Sequence, residues 1–460
     1  MKNLFSISKQ LSLLLVISFL FLVSCKKGGD FQEKMNAEAE TQVEIPPLAV
    51  EKLIVENVFR IPIEKFSDEQ ILTHYKEYMQ SLSEEDRTSL IAAFEEAFSE
   101  GYSSSPMGSF KSSSTETVLF PDIPDITYGW SVATVGNKVY VGARNNQKVY
   151  EYAKTGGSYN LISEIVPGEE TADFGTYVSV SGSWMAVAAP EYFLNTRLGK
   201  VFMFKKQGNA WVKRAVLTSS VPVRSFGGSG VVLKGNTLAV SSSSLGGFPS
   251  PEGSPISVFE LNGNNWILSE TIQRPGDDFF EIDMDDEGNR IVGTGSLNGS
   301  GAFVWASIFV REASGWAFED QVIAPFGSGF LARDVAIHNN TVVITAVVPG
   351  NKYFVLTNNG GDLEITQELI GNSLPPQNRF VDMSEEKIVV GAASAIPFIS
   401  DEVQVFEKSG GTWSLTETLT MGDNGANKRI WSVAISGNTI VSGLPGSGET
   451  PASGSTSVFD

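Results

Sequence analysis

The sequence predicts an all-β protein, a seven-bladed β-propeller of four-stranded blades, preceded by a small α-helical segment. Two observations predict this fold. A turn followed by a β-rich run recurs every 46 to 53 residues, starting at residues 136, 182, 235, 288, 339, 385 and 437. Ahead of this repeat, the apolar residues follow a helical period instead. Self-similarity at a period near fifty residues is the signature of a repeat architecture, so the repeat decides the fold class.

Residues 1–24 predict a lipoprotein signal peptide. Lys2 and Lys9 are positive, and the stretch from Leu11 to Val23 is almost wholly apolar. Its end, Leu22-Val23-Ser24-Cys25, resembles the lipobox of bacterial lipoproteins, in which the Cys is acylated after cleavage. About 13 apolar residues are too few to span about 30 Å of hydrocarbon. Lipid such as palmitate on Cys25 is therefore the expected anchor, and a secretory signal with a chance Cys is the alternative.

The numbers of cysteine and histidine residues limit the cellular location of the protein and the kinds of site it can form. The chain has one Cys and two His, which excludes disulfides and Cys/His zinc sites within it. A mature protein without a second thiol suits the oxidising cell envelope. We expect a lipid-anchored protein of the outer membrane, because Lys26 and Lys27 stand where some enterobacteria place the Asp that retains lipoproteins at the inner membrane. The lipid would be the only contact with the membrane.

Three segments separate the signal from the propeller. Residues 25–47 are polar and Glu-rich and predict a lipidated flexible tether. Residues 48–102 predict a small acidic helical segment, with capping patterns that begin at Ser67 and Ser83. Between residues 31 and 105 there are 6 basic and 16 acidic side chains. Residues 103–114 form a Ser-rich linker.

Each repeat predicts one four-stranded blade, and the blades together cover residues 115–460. A Gly-Asn type of turn joins the first two strands, and a Gly-containing turn joins the last two. Seven such units match a seven-bladed propeller. The fourth strand usually opens with an aromatic residue, which we interpret as packing between blades, with carbohydrate binding as the alternative. These aromatic residues are Tyr159, Trp211, Trp266, Trp316 and Trp413.

The last repeat ends after its third strand, so its outermost strand is missing. Residues 115–120 match Thr416-Glu417-Thr418-Leu419 of the preceding blade. We predict that residues 115–120 complete the seventh blade and close the ring, which also removes an exposed sheet edge.

The repeat resembles the FG-GAP repeat of the integrin α-subunit propeller. That unit has Phe-Gly at the first strand, Gly-Ala-Pro after the second, and Gly-x-Val-x-x-Phe at the third. Matching segments are Tyr128-Gly129, Phe174-Gly175, Phe226-Gly227, Gly142-Ala143, Ala188-Ala189-Pro190, Gly391-Ala392, Gly443-Leu444-Pro445 and Gly199-Lys200-Val201-Phe202-Met203-Phe204. The resemblance covers residues 128 to 460 and implies adhesion or partner recognition.

The resemblance also implies calcium loops, and one segment could supply such a loop. Asp283, Asp285 and Glu287 precede Gly288 at alternate positions, as a calcium loop requires. Asp382 matches Asp283 in register, so we interpret the segment as a strand that ends in an acidic turn. A structural calcium ion at Asp283, Asp285 and Glu287 is the alternative, and no other cofactor is expected.

The candidate binding residues lie in loops that should share one face of the ring. These loops join the second to the third strand of a blade, or one blade to the next, and they vary in length as binding loops do. Aromatic and charged side chains there are Tyr192, Phe193, Arg197, Phe248, Glu252, Asp277, Asp278 and Phe398. Trp130 and Trp431 occupy equivalent places near the start of two innermost strands. They would floor the mouth of the channel or pack it.

The predicted function is a lipid-anchored cell-envelope binding or adhesion module that recognises a protein or a glycan. The net charge of −20 excludes nucleic acid as a partner, because nucleic acids require a basic surface. We expect a monomeric propeller and no enzymatic activity. Two alternatives stay open: a carboxylate-based enzyme acting on polysaccharide, which needs only two acids, and a structural subunit of an outer-membrane complex.

Overall fold

The computed structural model describes Lys76 and most of the chain from Ser114 onward. The described ranges are 114–191, 199–244, 254–274, 277–297, 304–323, 332–346, 352–359, 362–371, 376–394, 401–421, 428–446 and 453–460. The chain divides into two compact units, Met1–Ser109 and Phe110–Asp460. The predicted signal, Cys25, the tether, the linker up to residue 113, and the helices of residues 48–102 apart from Lys76 lie outside the described residues. Among the described residues, no helix is long and apolar enough to cross a bilayer.

The described residues of the second unit form 28 strands in seven antiparallel four-stranded sheets. The chain enters with β1 (Glu116–Leu119). Blade 1 contains β2 (Tyr128–Val135), β3 (Lys138–Ala143), β4 (Lys148–Thr155) and β5 (Ser158–Ile165). Blade 2 contains β6 (Val178–Ser181), β7 (Trp184–Ala189), β8 (Lys200–Gln207) and β9 (Ala210–Leu217). Blade 3 contains β10 (Val223–Lys234), β11 (Thr237–Ser244), β12 (Ile256–Asn262) and β13 (Asn265–Ile272).

The remaining blades repeat this order. Blade 4 contains β14 (Asp277–Met284), β15 (Arg290–Leu297), β16 (Val304–Glu312) and β17 (Gly315–Ile323). Blade 5 contains β18 (Ala332–His338), β19 (Thr341–Ala346), β20 (Lys352–Asn359) and β21 (Asp362–Ile370). Blade 6 contains β22 (Pro376–Met383), β23 (Lys387–Ser394), β24 (Glu402–Ser409) and β25 (Thr412–Thr420). Blade 7 contains β26 (Ser432–Ser436), β27 (Thr439–Leu444), β28 (Ser455–Phe459) and β1. The predicted seven-bladed propeller is confirmed.

The predicted closing strand is also confirmed. β1 pairs antiparallel with β28, with Glu116 opposite Phe459 and Leu119 opposite Thr456. The strand is slightly shorter than the predicted residues 115–120. Because a strand from the start of the propeller supplies the last sheet, the ring has no open edge between its first and last blades.

The hairpins between first and second strands form where the turn residues predicted them. Gly136 has a φ of 61°, and Asn339 has a φ of 53°. Left-handed backbone of this kind is easy for Gly and tolerated by Asn, and the two-residue turns that join antiparallel strands require it. The same turn chemistry therefore fixes the first hairpin of blades 1, 2, 3, 5 and 7, whereas blade 4 has a longer turn and blade 6 turns at Glu385-Glu386 without a left-handed residue.

The hydrophobic core lies between blades rather than within one of them. Seven buried clusters each join side chains of two adjacent blades, one cluster at each of the seven seams. The fourth-strand aromatics belong to these seams, as predicted. Trp211 meets Tyr140 of blade 1 edge-on at 6.1 Å between ring centroids, and Trp266 meets Trp184 of blade 2 at 5.5 Å.

Polar bonds cross the seams at the innermost strands. A side chain on one innermost strand accepts a hydrogen bond from a backbone N–H of the next blade. The pairs are Ser179 with Leu233 at 2.9 Å, and Asp283 with Ile337, Asp334 with Val381 and Asp382 with Ile435 at 2.8 Å each. Such bonds satisfy backbone N–H groups on that edge of an innermost strand which has no neighbouring strand in its own sheet.

A similar bond crosses several seams at the outermost strands. Glu270 accepts from the N–H of Trp316 at 2.7 Å, and Asp320 accepts from that of Leu363 at 2.6 Å. At the seam between blades 5 and 6, Gln367 both accepts from and donates to the backbone of Trp413. Each seam thus combines an apolar cluster with directional bonds that set the position of the neighbouring blade.

The seam between blades 7 and 1 depends on Asp460. Its carboxylate accepts from the Tyr159 hydroxyl at 3.0 Å and the Thr439 hydroxyl at 2.8 Å, and it pairs with Lys154 at 2.9 Å. Burial opposes the charge on Asp460, but these donors hold its pKa below the ordinary value. The stability it contributes is therefore present above the ordinary pKa of Asp and is lost as the pH falls through the lowered pKa.

We expect Asp460→Asn to lower the free energy of unfolding by about 1–3 kcal/mol at pH 7, because it removes a charge that three donors share. Asp362→Asn, at an exposed position in blade 5, is the matched control. Urea unfolding followed by tryptophan fluorescence measures both. Equal midpoints for Asp460→Asn and the unmodified protein would contradict this role.

Candidate functional site

The strand order gives the ring two different faces. The loop face carries the connections from second to third strands and from each blade to the next, such as residues 120–127 between β1 and β2. The turn face carries the short turns from first to second strands and from third to fourth strands, such as residues 136–137 and 410–411. The variable connections therefore share one face, as the sequence predicts.

Most of the predicted loop residues lie outside the described residues. They are Tyr192, Phe193, Arg197, Phe248, Glu252 and Phe398. Asp277 and Asp278 do not lie in a blade connector, contrary to the prediction. They open β14 and pair in register with Leu297 and Ser296, because the ladder between β14 and β15 continues past an irregularity at Phe279.

Trp130 and Trp431 come together at the mouth of the channel. Their ring centroids lie 4.7 Å apart at a tilt of 39°. The Arg144 guanidinium lies over Trp130 at 3.9 Å, and Phe380 lies 6.0 Å from Trp431. Neighbours thus crowd both rings, so of the two predicted roles the geometry favours packing of the mouth over a free stacking platform.

The candidate calcium residues hold backbone and side-chain partners. Asp283 binds the N–H of Ile337, Asp285 accepts from the N–H groups of Asn289 and Arg290, and Glu287 accepts from the Asn289 amide. Among the described residues no cluster of three His, Cys, Asp or Glu side chains is placed to hold a metal ion. The arrangement is that of a strand ending in an acidic turn.

The centre of the ring holds a cluster of carboxyl groups, which we call the channel acids: Glu281, Asp283, Asp334 and Asp382. All four lie on innermost strands of blades 4 to 6 and keep only part of their surface exposed. Tyr177 of blade 2 donates to Glu281 of blade 4 at 2.6 Å.

This bond spans the intervening blade 3. Gly230 of blade 3 lies beside this bond. A Cβ there would lie 2.8 Å from a side-chain carbon of Ile282, so Gly allows Ile282 to pack closely at this position.

Burial raises the pKa values of the channel acids. The pKa of Glu281 rises to about 8, with the Tyr177 bond acting against the shift. Burial and then the charge of Asp283 raise the pKa of Asp382 to about 7. Burial and then the charge of Glu281 raise the pKa of Asp334 well above its usual range. Glu281 therefore keeps a proton at neutral pH, and Asp382 is partly protonated there.

Lys234 of blade 3 interacts with the channel acids Asp283 and Asp382. Burial opposes the charge on Lys234, but Asp283 and Asp286 hold its pKa above the ordinary value. Its Nζ lies 2.7 Å from Asp286, which also contacts Nδ1 of His338 at 2.9 Å. His338 ends β18, and its side chain is mostly covered because it contacts Asp286 of the preceding blade.

No sequence motif marks Glu281, Asp334 or Asp382 as functional residues. Asp382 was visible only as the register match of Asp283. Glu281 and Asp334 also share one register position, since they pair with Thr294 and Thr345 at equivalent points of the second strand. Aligning the first strands would have brought Glu281 and Asp334 to one level of the ring, and Asp283 and Asp382 to another.

The comparisons with known proteins leave the fold without a family assignment. No family model matches the chain, and no curated protein matches it. The FG-GAP repeat therefore stays a resemblance. Two similar solved structures are the crystal structure of a mitotic checkpoint complex and that of RRP9 WD40 repeats.

Both neighbours are distant. The first is 13% identical with a TM-score of 0.49, and the match covers 75% of this chain and 90% of that chain. The second is 12% identical with a TM-score of 0.48, covering 75% of this chain and 96% of that chain. The propeller assignment accordingly stands on the strand pairing described above.

We expect the protein to be more stable at pH 5 than at pH 8. In that window folded Glu281 keeps a proton that the unfolded chain loses, so the free energy of unfolding falls as the pH rises. Glu281→Gln retains an acceptor for Tyr177 and cannot ionise. It should raise the free energy of unfolding at pH 8, on the order of a few kcal/mol, and change it little at pH 5.

Denaturant unfolding across this pH range measures the effect, with Glu364→Gln, exposed on β21, as control. A Glu281→Gln variant with the same pH dependence as the unmodified protein would show that Glu281 does not carry the proton.

Proposed function

We propose that this protein is a lipid-anchored binding module of the cell envelope and that its propeller recognises a partner protein through the loop face. Cys25 would carry the lipid, and the outer membrane is the proposed location. The observation that carries the recognition proposal is an exposed apolar group on the loop face. It consists of Phe120, Ile123 and Ile126, which we call the apolar trio.

The apolar trio lies in the connection from β1 to β2. Its side chains are 52%, 57% and 38% exposed. The backbone of this connection is nevertheless firmly held, since the Ile126 carbonyl accepts from Gly446 at 2.6 Å and the Asp125 carbonyl accepts from Gly454 at 2.8 Å. A rigid backbone that presents large apolar side chains to water is typical of protein-binding surfaces.

The surroundings of the trio support a protein rather than a glycan as the partner. Lys428 lies over the Phe120 ring at 5.2 Å, which adds a charged group at the rim of the apolar surface. An apolar centre with a polar rim is the usual anatomy of a protein interface. A glycan would instead require accessible aromatic faces, and the faces of Trp130 and Trp431 are largely covered.

The enzymatic alternative has one specific observation in its favour. Glu281 is a carboxylic acid with a raised pKa, and its charge raises the pKa of Asp334. A proton donor and a second carboxyl group are therefore close together. Glycoside hydrolysis uses such a pair. However, the Asp334 carboxylate is bound by the N–H groups of Val335 and Val381, which gives it a structural role at the seam.

We expect the double variant Phe120→Ser/Ile123→Ser to lose the partner in a pull-down from solubilised envelope. The side chains are exposed, so the melting temperature should stay within about 2 °C of the unmodified value. Ile162→Ser, 48% exposed on β5, is the matched control and should keep the partner. Retention of the partner by the double variant, or binding to a glycan array instead, would contradict the proposal.

We expect Cys25→Ser to abolish acylation and to move the protein from the membrane fraction to the soluble one. Intact mass and fractionation measure these two results. The lipid supplies the membrane affinity in this proposal, because the predicted apolar stretch is too short to span a bilayer. An unchanged membrane fraction would show that something other than the lipid holds the protein there.

A further inference from the structure

The seam between blades 5 and 6 differs from its neighbours on the turn face. In four blades a cation of the third strand lies over the aromatic ring opposite it on the fourth strand. These pairs are Lys154 over Tyr159 at 5.7 Å, Lys206 over Trp211 at 4.8 Å, Arg311 over Trp316 at 6.0 Å, and Lys408 over Trp413 at 5.4 Å. The four cations therefore occupy equivalent places in their blades.

Three of these cations have a carboxylate partner on the preceding blade. Lys206 lies 2.6 Å from Glu151 of blade 1, and Lys154 lies 2.9 Å from Asp460 of blade 7. Arg311 pairs with Glu260 of blade 3. Asn358, at the same position in blade 5, donates to Glu319 of blade 4 at 2.6 Å. A carboxylate that binds the third-strand side chain of the next blade therefore recurs around the ring.

Blade 5 offers no such carboxylate to Lys408. The strand register places Val355, Thr357 and Thr366 where other blades have Glu151, Glu260 and Glu319. Lys408 is exposed, whereas Lys154, Lys206 and Arg311 are partly covered. Among the described residues, no carboxylate forms an ion pair with Lys408.

The position beside Lys408, where other seams have a carboxylate, is part of a groove. Two adjoining cavities of about 560 Å³ and 220 Å³ share Thr341, Thr357 and Lys408 in their walls. Val355, Thr366 and Trp413 line the smaller one. Hydroxyl groups thus surround an ammonium group that Trp413 holds in position.

We propose that this groove is a second binding site, on the turn face, that takes the side-chain carboxylate of an Asp or Glu from a partner protein. The chain itself shows what fits, since Glu151, Glu260 and Asp460 fill the equivalent places at other seams. Besides Lys408, the larger cavity is lined by three acids, Asp285, Glu287 and Glu385, against one permanent cation, Arg290, and by His338, so its remaining charge disfavours a polyanion. The site therefore selects an isolated acidic residue among neutral ones rather than a polyanion.

The two variants Thr357→Glu and Thr357→Gln test this site. Position 357 in blade 5 corresponds to Glu260 in blade 3, which pairs with Arg311. A Glu at position 357 should therefore pair with Lys408 and block the groove beside it. We expect it to raise the melting temperature by about 1 °C, as a partly exposed ion pair does. Gln has nearly the same size without the charge and should leave the melting temperature unchanged.

The binding measurement uses the whole mature chain. The probe is a peptide with blocked ends and a single Glu among uncharged residues, coupled by a water-soluble carbodiimide that joins carboxylates to lysine amines. Mass mapping should find the peptide on Lys408 several times more often than on other exposed lysines. Thr357→Glu should abolish this coupling, and Thr357→Gln should retain it.

Three results would overturn the proposal. Coupling spread evenly over exposed lysines would show that Lys408 is not a site. Coupling to Lys408 that survives Thr357→Glu would show that the groove does not position the carboxylate. Stronger competition by an oligogalacturonate than by the free peptide would mean that an acidic glycan is the occupant. The loop face takes no part in this test, so its outcome is separate from the proposed function.

Discussion

The seams between blades are the constraint on which the rest of this structure depends. A four-stranded sheet cannot bury its own faces, so each blade is stable only when its neighbours cover it. The core accordingly consists of seven interblade clusters, and polar side chains cross the seams at both the inner and outer strands. Closure by β1 and Asp460 extends this arrangement to the first and last blades.

The seams also determine where carboxyl groups lie in the ring and how readily they ionise. Asp283, Asp334 and Asp382 accept backbone bonds from the next blade, which places carboxyl groups in the centre of the ring. Desolvation there favours the protonated forms, so the inner seams tie stability to pH. On the turn face burial opposes the charges of Glu151, Asp286 and Asp460, but pairing with lysines lowers their pKa values, even for the fully buried Glu151. Carboxyl groups at the seams thus contribute opposite pH dependence, according to whether they are paired with a cation.

The repeat made the fold predictable, because the turn between the first two strands needs Gly or Asn and recurs at a readable period. Residues 115–120 could be assigned to the last blade by their likeness to one fourth strand. The channel acids were not predictable in the same way. Glu281 and Asp334 lie 53 residues apart in sequence, and only the ring brings their charges together. His338 and Asp286 likewise meet across a seam.

The closed ring is tested most directly by a disulfide across the closing pair. In a Cys25→Ser background, Thr117→Cys and Val458→Cys place thiols at positions that face each other between β1 and β28. We expect an intramolecular disulfide under mild oxidation and a higher melting temperature than in the reduced form, whereas Thr117→Cys with Ser436→Cys should give no disulfide. Disulfides formed only between molecules, or equally in both pairs, would contradict closure by the upstream strand.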